Sequence, residues 1–348
     1  MKGRTLMDVA QAAGLSRAGA SYALRGDPSI PAETTARVRK IAASLGYRPD
    51  IRISSLMAHI SRSRALHRRR ETIAFVWVST PNRSGKLPTH PRYYATAVFD
   101  GAKRRAEELG CVLSPFRLDE PGMSPRRLSE IFRARGITGI IFSPSALDLV
   151  VRIDLDWSLF ACAIIGNTEW VPVLNRAGHN HYRSMWLTLE LLRSRGFHRP
   201  AAILNRNAHE RTHGMHFAAF LANHPLPDQA AAWVQFSPTG KLSELVRWPS
   251  RQGPDALILG WQVDRPSLPA LQRLAPGARQ IVTLDWRSGS PVAGMDACHE
   301  TIAASAVDLV VAQLHRNERG VPGHPATLLI EGVWRDSAVA LAAAEPAR

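Results

Sequence analysis

The sequence predicts two fold classes in one chain: a small all-α helix-turn-helix domain, followed by an α/β domain built as two lobes. Three observations lead there. Gly14 and Gly46 punctuate three short amphipathic helices within the first fifty residues. From Thr72 onward, apolar strands alternate with amphipathic helices, the pattern of parallel sheets covered on both faces. The basic charge is also uneven: residues 1–70 hold 14 Lys and Arg against 4 Asp and Glu, while the rest of the chain holds 30 against 25. With 348 residues, 45% of them hydrophobic, the chain exceeds what one core usually organises and is too apolar to be disordered. A net charge of +15, mostly at one end, points to a polyanionic partner for that end.

The N-terminal helices follow from caps and spacing. Thr5 and Asp8 have the spacing of a capping box, and Leu6, Val9, Ala10 and Ala13 then share one helix face. Gly14 stops that helix, Leu15 is a buried plug, and Ser16 caps a second helix. Ala20, Ala23 and Leu24 of the second helix face inward, while Arg17, Ala18, Ser21 and Tyr22 face outward. A third helix runs from Pro31 to Leu45, buried through Val38, Ile41, Ala42 and Leu45, and ends at Gly46. A tight glycine turn between the first two helices is the helix-turn-helix arrangement, whose second helix enters the DNA major groove. By itself the pattern suits an ordinary helical bundle as well; the basic surroundings tilt it toward nucleic acid.

The continuation is more specific. "TLMDVAQAAGLSRAGASYALRGDPSIPAETTARVRKIAASLGYRP" closely resembles the DNA-binding segment of the LacI-type (lactose-repressor) family of bacterial transcription regulators, in register over residues 4–58. The resemblance implies that Arg17, Ala18 and Tyr22 read bases, that Ser16 and Ser21 touch phosphates, and that Leu56 is the wedge of a hinge helix. Two departures stand out. Tyr22 replaces the usual Arg, the bidentate partner of guanine, so a different operator is expected. Gly19 replaces a frequent Thr and costs about 1 kcal/mol in a helix interior. In the hinge, Ile53, Leu56, Met57 and Ile60 form an apolar stripe, and "SRSRALHRRRE" (61–71) is a basic connector. The domains expected are 1–49 for the helix-turn-helix, 50–71 for hinge and linker, and 72–340 for the sensor.

Beyond Thr72, strands are expected at 72–79, 111–118, 136–144, 159–166, 201–205, 255–260 and 280–285, with helices at 93–110, 181–196 and 301–316. "RTHGMHFAAFLA" and "AAWVQF" continue the rhythm. The resemblance implies a periplasmic-binding-protein-like sensor with a ligand cleft, the chain crossing between lobes near 170–178 and 285–295. It also implies effector contacts by Arg211 and Asp285, with Trp233 stacking on a flat ligand. His181 replaces a common acid, and Trp261 and Gln262 replace a common Asn-Asp pair, which argues against a simple sugar. A salt bridge between Arg211 and Asp285 is the rival role for those two residues.

No nucleophile elbow, phosphate loop or dinucleotide fingerprint is present, so neither catalysis nor a cofactor is expected. The histidine pairs at 179/181 and 213/216 lack the cysteines or the helix frame of a known metal motif, and no metal is expected. Cys111, Cys162 and Cys298 are widely spaced and read as free buried thiols of a reducing compartment. Without a secretory segment or a membrane-length apolar run, the expected location is cytoplasmic. No heptad follows residue 335, which disfavours a tetramer. The partners expected are palindromic operator DNA, a second copy of the chain as a homodimer, and a small-molecule effector, with no membrane. The function expected is that of a ligand-modulated regulator, most simply a repressor. A transporter's solute-binding protein, or an α/β enzyme carrying a DNA-binding appendage, are the alternatives.

Overall fold

The computed structural model describes residues 5–25, 27, 30–47, 71–78, 89–145, 149–238, 241–249 and 252–337. Its head holds α1 (Leu6–Ala13), α2 (Arg17–Arg25) and α3 (Ala32–Ser44). The capping box forms as expected: Asp8 N–H donates to Thr5 Oγ1 at 3.4 Å, and Thr5 N–H donates to Asp8 Oδ2 at 2.7 Å. Gly14 takes the left-handed conformation at φ 67°, and Leu15 N–H reaches back to the Ala10 carbonyl at 3.0 Å. This closes α1 and turns the chain into α2. Val9, Ala13, Ala23, Val38 and Ala42 form the core, with Leu15, Leu24, Ile41 and Leu45 packed against it. The expected hinge, including Leu56, lies outside the described residues.

The rest is two parallel sheets. The first contains β1 (Thr72–Trp77), β2 (Val112–Arg117), β3 (Gly139–Phe142), β5 (Ala161–Ile165), β7 (Asn175–His179) and β13 (Thr327–Ile330), in the order β13-β7-β5-β3-β1-β2. α4 (Thr89–Glu108) and α10 (His299–Arg316) cover one face, and α5 (Pro125–Arg135) helps cover the other. The second contains β8 (Pro200–Asn205), β9 (Val234–Ser237), β10 (Ala256–Leu259), β11 (Gln280–Thr283), β12 (Ala293–Asp296) and β14 (Val333–Arg335), in the order β14-β12-β11-β10-β8-β9. Among the described strands, only β14 runs antiparallel. α6 (His181–Ser194), α8 (Met215–Asn223) and α9 (Leu268–Leu274) pack onto this sheet through Met185, Leu189, Phe220 and Leu271. A short separate ribbon pairs β4 (Val150–Arg152) with β6 (Glu169–Val171).

Three details differ from the sequence expectation. The chain changes lobes after His179 and between Asp296 and His299, next to the two expected crossings, and a third time between Ile330 and Val333, which was not expected. The third crossing uses β13 and β14, short strands whose exposed faces hide their periodicity. The segment 211–222 is broken: α7 (Arg206–Arg211) ends, His213 and Gly214 take φ of 50° and 70°, and α8 begins. Two successive positive-φ residues cannot continue a right-handed helix. All three cysteines are free; Cys111 and Cys162 are buried, whereas Cys298 is only half-buried. Among the described residues, no helix is long and apolar enough to cross a membrane.

Candidate functional site

Two regions gather the chemistry. The first is the start of α2. Ser16 Oγ accepts the Gly19 N–H at 3.0 Å, so its hydroxyl closes the helix N-terminus. Ala20 and Ala23 are fully buried, which turns the opposite face outward, where Tyr22 is 43% exposed. Arg17 and Ala18 occupy the first turn, and Ser21 is half-buried. The helix N-terminus also offers backbone N–H groups suited to a phosphate.

The second region lies between the lobes, at the carboxyl ends of the strands. His299, the first residue of α10 in the N-terminal lobe, places Nε2 3.2 Å from Oδ1 of Asp285, which follows β11 in the C-terminal lobe. Tyr94 of α4 stands edge-on to the His299 ring, centroids 4.5 Å apart. Burial raises the Tyr94 phenol far above its ordinary value, opposed by Arg211 and reinforced by Asp285. Arg211 donates from Nη1 to the Ser145 carbonyl at 2.9 Å, joining α7 to the loop after β3. Its Nε is buried with no partner.

Histidines fill the adjoining space. His181 Nδ1 and His216 Nε2 are 3.3 Å apart, and the rings of His179 and His181 meet edge to face at 4.9 Å. His179 Nε2 is 2.8 Å from Ser184 Oγ. Burial is the main cause that lowers all three: His179 to about 4, His216 to about 3, and His181 well below its ordinary value. Neighbouring histidines add to the shift and Asp285 opposes it. The imidazoles are therefore neutral near pH 7.

Of the residues expected in the cleft, Arg211, Asp285 and His181 converge here. Trp261 is half-buried against the C-terminal core, its carbonyl held by Thr283 Oγ1 at 2.7 Å. Trp233 is 8% exposed and sits in that core, stacked with His224 at 6.5 Å, so it does not join them. Arg211 bonds the Ser145 carbonyl rather than Asp285, which instead meets His299. Tyr94, His179, His216 and His299 were not singled out as effector residues in the sequence; only the "HNH" and "HGMH" pairs hinted at two of them. A depression of about 540 Å³ lies at the amino ends of β11 and β12, lined by Leu268, Gln272, Arg279 and Pro291. It contains none of the converging groups.

Residues 5–50 match the family model of bacterial regulatory proteins, lacI family. The head belongs to the lacI family. No curated protein matches the chain. Among solved structures, a LacI-family transcriptional regulator from Rhizobium etli aligns at TM-score 0.55 and 14% identity, over 78% of this chain and 99% of that one. A transcriptional regulator CelR–cellobiose complex aligns at 0.50 and 18%, over 96% and 99%. Lac repressor bound to ONPG in its repressed state aligns at 0.50 and 15%, over 97% and 99%. At these identities the structures speak for the fold: a lacI-family head in front of two α/β lobes of the same architecture. Among the described residues, Arg211, Asp285, Tyr94 and several histidines face the space between the lobes.

Proposed function

We propose that this protein is a sequence-specific DNA-binding transcription regulator, a repressor by the simplest reading, whose operator affinity is set by a small ligand between the two lobes. The observation that carries the reading is the match of the capped three-helix head, with Tyr22 on the outward face of α2, to the lacI family. The domain plan we adopt is residues 1–49 for DNA reading, 50–71 for hinge and linker, and 72–340 for sensing and dimerisation.

Arg17, Ala18 and Tyr22 read the major groove, Ser16 and Ser21 contact phosphates, and Leu56 wedges the minor groove. A palindromic operator requires two heads related by a two-fold axis, hence a homodimer. In support of a ligand site, Arg211 Nε is a buried donor without a protein acceptor, and Asp285 and His299 face each other across the lobes. We read the cleft as a binding rather than a catalytic site: Asp285 with His299 and Arg211 with the Ser145 carbonyl hold the lobes together, and the Ser184 hydroxyl that meets His179 is fully buried. Trp261 flanks the ligand, whereas Trp233 packs in the C-terminal core. Reduced thiols and a DNA target fit a cytoplasmic protein.

Selection of bound sites from random DNA with the full chain tests this. The expected product is a palindrome bound by a dimer. Equal affinity for all sequences, lost uniformly as salt rises, would leave only phosphate attraction and overturn the reading.

A further inference from the structure

We propose that His179, His181 and His216 form a site for a divalent transition-metal ion of the zinc class, with a fourth position open to water or to a donor atom of a ligand between the lobes. Each of the three offers one ring nitrogen, and these nitrogens lie within 4.8 Å of one another. Two imidazoles bound tetrahedrally to one zinc at 2.0–2.1 Å place their nitrogens about 3.3 Å apart. His181 Nδ1 and His216 Nε2 are 3.3 Å apart. The pair therefore already has the spacing of two ligands on one ion, and the third nitrogen needs to close by about 1.5 Å.

A second observation points the same way. His179 is only 5% exposed; its Nδ1 makes no well-formed hydrogen bond, and the ring interacts with the Ala297 backbone. A nitrogen so weakly satisfied in so buried a ring is costly unless something else takes its lone pair. Ser184 Oγ, 2.8 Å from Nε2, is the kind of outer partner that orients a ligating ring. Neutral imidazoles are the form that binds metal, and burial keeps these three neutral. The Asp285 carboxylate acts electrostatically on all three and offsets part of the ion's charge.

The three ligands come from different parts of the fold. His179 ends a strand of the N-terminal lobe, His181 opens α6, and His216 lies in the first turn of α8 in the C-terminal lobe. A bound ion therefore ties the end of one sheet to helices of the other lobe. That the ion also shifts operator affinity rests on the regulator reading above; the site itself does not.

The test uses the tag-free full chain. Co²⁺ titration is expected to give one equivalent bound, with the intense visible bands of a low-coordinate nitrogen site, displaced by Zn²⁺. His181→Gln and His216→Gln are expected to weaken binding at least about 100-fold, beyond the usual effect of changing an outer partner, while His315→Gln on the exposed end of α10 changes nothing. X-ray absorption of the Zn²⁺-loaded wild type, which needs no variant, should count three imidazoles. Absence of a stoichiometric site, unchanged affinity in both variants, or an oxygen-only shell overturns the proposal. Titration of the selected DNA site with and without Zn²⁺ then separates the claims. Metal binding with unchanged DNA affinity keeps the site and removes its regulatory role; loss of sequence preference in all conditions indicts the regulator reading instead.

Discussion

Asp285 Oδ1 and His299 Nε2 meet at 3.2 Å across the two lobes, the carboxylate following β11 and the imidazole opening α10. The two residues belong to different sheets, yet each stands at the carboxyl end of its own lobe's strands, where α/β folds place their binding crevices. Asp285→Ala removes a hydrogen bond to a charged group and leaves the His299 Nε2 without its carboxylate. We expect a loss of about 1.5–3 kcal/mol in urea denaturation of the full chain. A change within about 0.5 kcal/mol would place the pair among surface contacts of no consequence.

Tyr22 provides the test of base reading. Its ring is exposed on α2, and a tyrosine makes one hydrogen bond and apolar contact where an arginine would make two bonds to guanine. Tyr22→Ala should relax preference at one operator position by about 1–3 kcal/mol and leave the salt slope nearly unchanged. Competition with single-base operator variants measures it. A uniform loss over all sequences would mean that Tyr22 touches backbone or only supports the head.

Gly101 marks the closest approach of α4 and α10. A Cβ there would lie 2.6 Å from the Glu300 Cα and closer still to its carbonyl oxygen. Alanine is the better helix former by about 1 kcal/mol, so an exposed glycine would gain from the change. Here the obstacle is backbone, and the helices must separate. Gly101→Ala is expected to lower stability by about 1–3 kcal/mol. A thermal midpoint equal to or above wild type would show that the two helices slide apart freely.

Cys111 makes an alkaline prediction. Burial, with Glu71 adding to it, pushes its thiol from 9 up to about 11. Folding therefore favours the neutral thiol. The stability this contributes is complete below about pH 9, the unfolded value, and is lost as pH rises through about 11. Denaturant midpoints between pH 8 and 11 should fall less steeply for Cys111→Ala than for wild type. Identical slopes would assign the alkaline loss to other groups.

The head was almost wholly legible in the sequence, because its determinants are local. Thr5 and Asp8 cap α1 across three residues, Gly14 turns the chain, Ser16 caps α2, and the alanine spacing selects the buried face. The α/β rhythm was legible for the same reason: a fully buried strand such as Gly139–Phe142 is a continuous apolar run. β7 was not, since "NRAGH" is polar in sequence and buried only by its neighbours in the sheet. β13 and β14 are edge strands with exposed residues, and their register comes from β7 and β12.

The cleft divides along the same line. Arg211, His181 and Asp285 were anticipated at their positions, but what each touches is a matter of tertiary structure. The break at His213 and Gly214 ends α7 and begins α8, which carries His216 to His181 thirty-five residues earlier. Three crossings of the chain bring His179 and His299 to the same opening. The sequence by itself determined the capped helices, the strand alternation and the basic head, because backbone hydrogen bonding and side-chain periodicity act over a few residues. Only the tertiary structure decided that Trp233 goes to the core, that Asp285 meets His299, and that His216 joins His179 and His181 in one small space. Those outcomes depend on how two sheets stack and cross, and no short-range pattern encodes that.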